Sequence, residues 1–293
     1  MSKISYNDSS EVNTKKCLAF CFLIYDRINH EELWNNWLKN VDENKYKIFI
    51  HYKSNKELKY FEKYKLKNCI ETKYTDHTIP LAYNLLFREA YKNNNIYKFI
   101  ILSGACIPLK SFDYIYDKLI ADTYGYFNIC RPEQCFPWCN SLKPHIDNSL
   151  ISKSHNWFIL NRILVENLCS VENDQNLIKY YRRVYAPAEY YYYTFIKINK
   201  LENEIKTTNT LASGATTFTN WKGMNYPFPN EPLRSRAARS GRPHAYNIIC
   251  KEEIDYLLEQ PCLFGRKFNE DCKILNENFS MSKYLENKIC KIN

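Results

Sequence analysis

The segment at residues 98–121, KFIILSGACIPLKSFDYIYDKLIA, contains the pattern that decides the fold. Its opening KFIILS run is apolar through its centre and ends at Gly104, which is typical of a strand buried on both faces of a parallel sheet. Ser111 precedes a stretch with helical apolar spacing, so we predict that it caps a helix over residues 112–121. A strand followed by a helix is the repeating unit of an α/β fold.

The same alternation continues on the N-terminal side of this segment. Two further apolar runs, CLAFCFLIY at residues 17–25 and KIFIHY at residues 47–52, are predicted strands. Helical spacing follows at residues 31–41 and 81–91, the second with Pro80 where a helix can begin. Strands that alternate with helices predict βαβ units and a mostly parallel central sheet.

The C-terminal half has a less regular pattern. Residues 157–167 are apolar and fit either a strand or a helix, whereas residues 175–183 and 254–258 fit helices. A β-like run at 216–221 precedes a loop rich in Pro and Arg. No repeat or long linker divides the chain, so we predict a single domain at residues 16–293 after a polar leader at residues 1–15.

Composition narrows the class of protein and the kind of partner. The chain has 293 residues, 45% of them apolar and 25% charged, which excludes a disordered or collagen-like protein. A net charge of +9 suits a polyanionic partner, whether nucleic acid, a membrane surface or a diphosphate. Several of the twelve cysteines lie in or beside apolar runs, so free structural thiols are expected.

The N-terminal sequence predicts no membrane anchor. Residues 1–15 are polar, and the apolar run at 17–25 is shorter than the ~20 residues that a membrane-spanning helix needs. We therefore expect a soluble protein, cytoplasmic or otherwise unanchored, without a signal peptide or transmembrane segment. The abundance of Tyr, Asn, Lys and Ile, which AT-rich codons encode, favours a microbial or viral source.

Four segments match a known pattern when they are taken in chain order. They are FIILSGACIPLKS at residues 99–111, SKSHNWFILNR at 152–162, APAEYYYYT at 186–194, and GRPHAYNIICKEEIDYLLEQPCLFGRKF at 241–268. Together they resemble the core-2/I-branching N-acetylglucosaminyltransferase family, which also contains peptide xylosyltransferases and plant relatives. The resemblance implies an α/β fold of the GT-A type, which is Rossmann-like. It also implies inverting transfer of a sugar from a UDP-sugar to a glycan or glycoprotein acceptor.

The resemblance also implies which residues carry the chemistry. Glu189 matches the carboxylate of the family's PDE-like motif and is the candidate general base for the acceptor hydroxyl. Ala188 stands where the family usually has Asp, which removes a neighbouring charge. Lys267 matches the family lysine that meets the diphosphate, and Arg266 stands beside it. Cations aimed at the developing negative charge of a leaving group lower the barrier.

A cluster of arginines lies next to the PH motif. The family's second basic residue is absent, because Ala245 and Tyr246 occupy the matching positions, and Arg242 is predicted to replace it. The cluster also suits a solvated basic loop or contacts with nucleic-acid phosphates; its members are Arg234, Arg236, Arg239 and Arg242. No recognisable nucleic-acid-binding fold accompanies it, so we expect no nucleic-acid partner.

Further residues are candidates for contacts with the donor or the acceptor. Ser103 and Gly104 end a strand at the carboxyl edge of the sheet, where open α/β folds bind ligands. Lys153 is a third donor-site candidate. Trp221 either offers its indole face to an acceptor sugar or is a half-buried core residue. Trp157 is interpreted as structural.

The sequence contains no Asp-x-Asp motif, the usual metal ligand of GT-A enzymes. We therefore predict a metal-independent enzyme with no cofactor besides its UDP-sugar substrate. N-acetylglucosamine is the favoured sugar, with xylose and glucuronic acid as alternatives. Two other functions stay open, namely an inactive glycan-binding descendant of the fold and a basic nucleic-acid-binding protein.

Overall fold

The computed structural model describes residues 16–131, 139–170, 177–207, 216–221, 227–228 and 243–290. The strands are β1 Cys17–Ile24, β2 Tyr46–Tyr52, β3 Ile96–Ser103, β4 Ile107–Pro108, β5 Gly125–Phe127, β6 Ile159–Asn161, β7 Ile205–Thr207, β8 Thr217–Thr219, β9 Tyr246–Ile249, β10 Phe264–Arg266 and β11 Phe268–Ile274. The α-helices are α1 Glu31–Leu38, α2 Thr78–Tyr91, α3 Phe112–Ile120, α4 Arg162–Cys169, α5 Ala188–Ile198, α6 Lys251–Glu259 and α7 Met281–Ile289. The predicted leader at residues 1–15 lies outside the described residues.

A six-stranded sheet forms the centre of the structure, in the strand order β2-β1-β3-β6-β5-β7. β1 pairs in parallel with β2 and β3, and β5 pairs in parallel with β7. β6 is inserted between β3 and β5 and runs antiparallel to both. The prediction of an α/β fold with a mostly parallel central sheet is therefore confirmed, and the architecture agrees with a GT-A-type fold.

The pleat of β1 explains why helices cover both faces of this sheet. Leu18 and Phe20 belong to one buried apolar cluster. Ala19 and Cys21 belong to a second. Because side chains alternate across a strand, one face packs on α1, α3, α6 and α7, and the other packs on α2, α4 and α5. A strand buried on both faces reads as a continuous apolar run, which is why the sequence revealed it.

Local signals set several element boundaries. α2 begins shortly before Pro80, which lies in the first turn, where a backbone N–H has no partner within the helix. Ser111 caps α3 as predicted, since its Oγ accepts a hydrogen bond from the backbone N–H of Tyr114 at 3.3 Å. The segment at 157–167 contains both predicted alternatives, because β6 passes directly into α4. Asn161 caps that helix by accepting from the Leu164 N–H at 2.9 Å.

Other sequence expectations concern single features. The described part of the helix predicted at 175–183 includes a 3₁₀-helix at Lys179–Arg183. All eleven cysteines within the described ranges are free thiols. In the same ranges, no helix has both the length and the apolar character needed to cross a membrane.

Two small sheets adjoin the carboxyl edge of the central sheet. β4 follows β3 after a short turn and pairs antiparallel with β10, and β10 pairs in parallel with β8. β11 pairs in parallel with β9. The backbone N–H of Phe268 donates to the carbonyl oxygen of Ala105 at 3.2 Å, which ties the start of β11 to the turn after β3. The end of β10 is thereby held close to the carboxyl end of β3.

Candidate active site

Arg266 is the last residue of β10 and lies buried where the end of β10 approaches the carboxyl end of β3. Its guanidinium carbon lies 4.0 Å from the ring centroid of Trp157, which is a cation–π contact. Cys106, in the turn after β3, is a neighbour that acts on its pKa. The contact with the aromatic ring positions the guanidinium without neutralising its charge.

The Arg266 guanidinium has no carboxylate among its main electrostatic neighbours. Burial lowers its pKa below the ordinary value, and the largest charge effects on it come from Cys106, Tyr83 and Tyr74. Within the described part of the chain, its Nε has no hydrogen-bond partner. Burying a cation is costly unless an anion compensates it. The arrangement therefore fits a site that receives a negatively charged group.

A carboxylate and an amine lie close together at the start of α5. Glu189 lies in the first turn of α5, and its Oε2 lies 3.0 Å from Nζ of Lys153. The backbone N–H of Ser154 donates to the carbonyl oxygen of Glu189 at 2.7 Å. Ser152 and Thr194 exchange two further hydrogen bonds of 3.1 Å. These bonds hold the Lys153 segment along α5 and so fix the geometry of the ion pair.

Tyr83, a buried residue of α2, connects the two charged regions. Burial raises the pKa of its hydroxyl, Arg266 acts to lower that pKa, and Glu189 acts to raise it. The candidate base and one candidate diphosphate cation thus both act on the hydroxyl of Tyr83, although their motifs are far apart in the sequence.

Ser103 and Gly104 form the turn at the carboxyl end of β3. The Ser103 hydroxyl lies 3.3 Å from Sγ of Cys106, the neighbour of Arg266 described above. A Cβ at Gly104 would overlap the carbonyl oxygen of Arg27, and the Gly104 carbonyl accepts from the Asn29 N–H at 2.7 Å. The absence of a side chain at Gly104 therefore allows the backbone after β1 to pack closely against this turn. A donor contact by Ser103 or Gly104 stays a prediction.

Lys267 and Trp221 lie beyond the same ends of two paired strands. β8 and β10 are parallel, with Thr219 opposite Arg266, and both candidates are half-buried. The predicted donor lysine and the predicted acceptor tryptophan therefore follow the same end of two neighbouring strands of this small sheet. Their roles stay predictions, as does that of Arg242, which lies outside the described residues.

Sequence reasoning missed two residues that surround Arg266. Trp157 contacts its guanidinium, although the position of this tryptophan in an apolar motif indicated a structural role. Tyr83 lies on the buried face of α2, and a core tyrosine in a chain with 25 tyrosines carries no distinguishing signal. The one available hint was that Trp157 shares a motif with Lys153.

The described ranges contain no group of three or more His, Cys, Asp and Glu side chains arranged to hold a metal ion. Basic groups do occur near the carboxyl end of β3, where Arg266 and Lys267 follow each other at the end of β10. The described residues around β10 thus offer cationic side chains to an anion.

Comparison with known proteins adds an independent observation. The family model described as Core-2/I-Branching enzyme matches residues 18–258, which is most of the chain. Among curated proteins, "Glycosyltransferase BC10" of Oryza sativa subsp. japonica is 21% identical over 152 residues. That match covers 50% of this chain and 38% of the rice protein, so it spans well under two thirds of the relative.

Proposed function

Since the chain belongs to the core-2/I-branching enzyme family, we propose that it is a glycosyltransferase acting on a UDP-sugar. The proposal extends to inverting transfer onto a glycan or protein acceptor, with N-acetylglucosamine as the favoured sugar. Xylose and glucuronic acid are the alternatives to be tested beside it.

The observation that carries this proposal is the buried guanidinium of Arg266. It is positioned against Trp157, yet its Nε has no hydrogen-bond partner within the described ranges. A diphosphate supplies both the negative charge and the acceptor oxygens that such a group needs. Lys267, the next residue, supplies a second cation for the same leaving group.

The proposed reaction is a single displacement. The Glu189 carboxylate takes the proton of the acceptor hydroxyl, and the acceptor oxygen forms a bond to the anomeric carbon of the donor. The bond between that carbon and the diphosphate oxygen breaks, and UDP leaves with the electron pair. Arg266 and Lys267 stabilise the negative charge that develops on the diphosphate. Attack from the face opposite the leaving group inverts the anomeric configuration.

Lys153 acts, in this proposal, as a positioning residue for the base. Its Nζ lies 3.0 Å from the Glu189 carboxylate, and this contact restricts the rotation of the carboxylate. The contact therefore favours a role for Lys153 at the base over the donor contact expected from the sequence.

The diphosphate is proposed to be neutralised by these side chains rather than by a divalent ion. The sequence contains no Asp-x-Asp motif, so the usual pair of carboxylate ligands is missing. Two cationic side chains at the end of β10 supply equivalent charge. No cofactor enters the proposed reaction apart from the UDP-sugar itself.

A UDP-release screen over a panel of UDP-sugars, followed by acceptor profiling, tests the function. We expect release from at least one donor, and a fall of ~10²–10⁴ in turnover for Glu189→Gln with UDP affinity retained. Glu43→Gln, an exposed glutamate between α1 and β2, is the matched control and should keep full turnover. No release from any donor, with glycan binding retained, would indicate the inactive glycan-binding alternative.

A further inference from the structure

A chain of three buried polar side chains lies beside the candidate donor lysine and the candidate acceptor tryptophan. Asn220, Tyr246 and Glu253 are each 2% exposed. The Tyr246 hydroxyl donates to Oε1 of Glu253 at 2.7 Å, and Nδ2 of Asn220 donates to the same hydroxyl at 2.6 Å. A hydroxyl has one proton, so the bond to the carboxylate uses that proton and the oxygen accepts from the amide. The carboxylate therefore sets the direction of both hydrogen bonds.

This hydrogen-bonded chain joins three separate elements. Glu253 lies in the first turn of α6, Tyr246 is the first residue of β9, and Asn220 directly follows β8. The helix dipole stabilises a carboxylate in the first turn, which favours this place for a buried acidic group. Buried polar networks of this kind fix one arrangement of their members, because leaving any member without a partner is costly.

Asn220 is held at two points. Besides the side-chain bond to Tyr246, its carbonyl oxygen accepts from the backbone N–H of His244 at 2.8 Å. The rings of His244 and Tyr246 are nearly perpendicular, with their centroids 4.4 Å apart. Trp221, the candidate acceptor residue, comes directly after Asn220. The backbone that carries this indole is therefore anchored through the Tyr246 hydroxyl.

Tyr246 also contacts the segment of the candidate donor lysine, but through groups other than its hydroxyl. Its backbone N–H donates to the carbonyl oxygen of Lys267 at 2.8 Å, and its ring stacks on that of Phe268 with centroids 5.0 Å apart. Phenylalanine in place of Tyr246 keeps both contacts and removes only the hydroxyl. One substitution can therefore separate the acceptor side of the proposed site from its donor side.

We propose that Tyr246 is a positioning residue whose hydroxyl holds Trp221 in the orientation that binds an acceptor sugar. An indole offers a flat apolar face to the C–H face of a pyranose, and this contact depends on the plane of the indole ring. The proposal rests on the proposed glycosyltransferase function and on the acceptor contact predicted for Trp221. Asn220 and Glu253 support that orientation through the Tyr246 hydroxyl.

Fluorine NMR of the chain labelled with 5-fluorotryptophan reports on the indole directly. The chain has five tryptophans, and the resonances that disappear in Trp221→Phe and Trp157→Phe assign those two. In Tyr246→Phe we expect the Trp221 resonance to shift or broaden, while the Trp157 resonance, next to Arg266, stays in place. Asn220→Ala should give the same change, and the double variant should add nothing, because both substitutions break one chain.

Two affinities separate positioning from a general loss of stability. UDP affinity in calorimetry should be the same in Tyr246→Phe as in the wild-type chain. The glycoside probes are methyl β-galactoside, methyl α-mannoside and methyl β-xyloside, followed on the Trp221 resonance in the presence of UDP. We expect at least one to bind, and its affinity to fall about threefold or more in Tyr246→Phe, since an orientation populated about a third of the time raises the apparent Kd by the inverse of that fraction.

Tyr126→Phe is the matched control. Tyr126 is a buried tyrosine of β5 whose hydroxyl donates to the Asp122 carboxylate at 2.8 Å. The substitution removes the same kind of hydrogen bond from the central sheet, so the Trp221 resonance and both affinities should not change. Asn220→Ala leaves Tyr246 bonded to Glu253 and provides the same test if Tyr246→Phe does not fold.

An unchanged Trp221 resonance in Tyr246→Phe would overturn the proposal. Equal losses of UDP and glycoside affinity would overturn it too, because they would indicate a structural role alone. A wild-type chain that binds UDP but whose Trp221 resonance responds to none of the glycosides would also overturn it, while leaving the proposed function standing. A chain that neither binds UDP nor releases it from any UDP-sugar would instead refute the proposed function.

Discussion

Replacing Arg266 with methionine should remove ligand binding without weakening the free protein. Methionine keeps an unbranched, apolar side chain of similar length, so packing against Trp157 is largely preserved. The charge disappears, and with it the cost of keeping a guanidinium buried without an acidic partner. If the site binds an anion, the charge of Arg266 supports ligand binding but lowers the stability of the free protein.

The expected magnitude follows from two opposing contributions. The cation–π contact at 4.0 Å contributes about 0.5–2 kcal/mol to the free energy of unfolding. The effective desolvation penalty of a buried ion is several kcal/mol, and here burial also lowers the pKa of the guanidinium. We therefore expect the free energy of unfolding of Arg266→Met to be unchanged or raised by ~1–3 kcal/mol in the absence of ligand.

Thermal unfolding with and without UDP checks both halves of this prediction. For a chain of this size, about 1 kcal/mol corresponds to a Tm change of ~2 °C. UDP at a hundred times its Kd should stabilise the wild-type chain by ~2.7 kcal/mol, and this gain should vanish in Arg266→Met. An Arg266→Met protein that melts well below wild type yet keeps its response to UDP would refute the reasoning. The guanidinium would then be a structural group.

Further predictions follow from the other contacts. Lys153→Met should lower turnover while UDP affinity is retained, because it removes the amine that lies 3.0 Å from the Glu189 carboxylate and restricts its rotation, whereas Lys153→Arg should restore most of the turnover. Unchanged turnover with weakened UDP binding would instead assign Lys153 to the donor site. Lys267→Ala should lower UDP affinity and turnover together, because one charge meets both bound diphosphate and leaving group; unchanged affinity in calorimetry would contradict this. Gly104→Ala should cost ~1–3 kcal/mol in denaturant unfolding, because its Cβ would overlap the Arg27 carbonyl oxygen, and wild-type stability would be inconsistent with that packing.

The parts of the fold that rest on local pattern were predictable. β3, the Ser111 cap and α3 follow one another in the sequence, and each has its own signal in apolar spacing or capping chemistry. The strand β6 was not separable from α4, because a short buried strand that runs into a helix leaves one uninterrupted apolar stretch. Its antiparallel insertion between β3 and β5 depends on tertiary pairing, which no local pattern encodes.

The candidate site divides in the same way. Glu189, Arg266 and Lys267 were named from motifs, but no motif could show that Lys153 pairs with Glu189 or that Trp157 contacts Arg266. These contacts join the segment at residues 153–157 to α5 and to β10, which are far from it in the sequence, so they arise only in the folded chain. The positive φ angles of Thr75 and Ala186, 59° and 51°, could not be predicted from the sequence either, because neither residue type favours a positive φ.

The most direct test of the account is turnover of the UDP-sugar in excess EDTA. Side chains at the end of β10 are proposed to neutralise the diphosphate, so removal of divalent ions should leave UDP release at its full rate. Loss of activity in EDTA, with recovery on addition of Mn²⁺, would contradict the account, because a metal ion would then carry the charge assigned to Arg266 and Lys267.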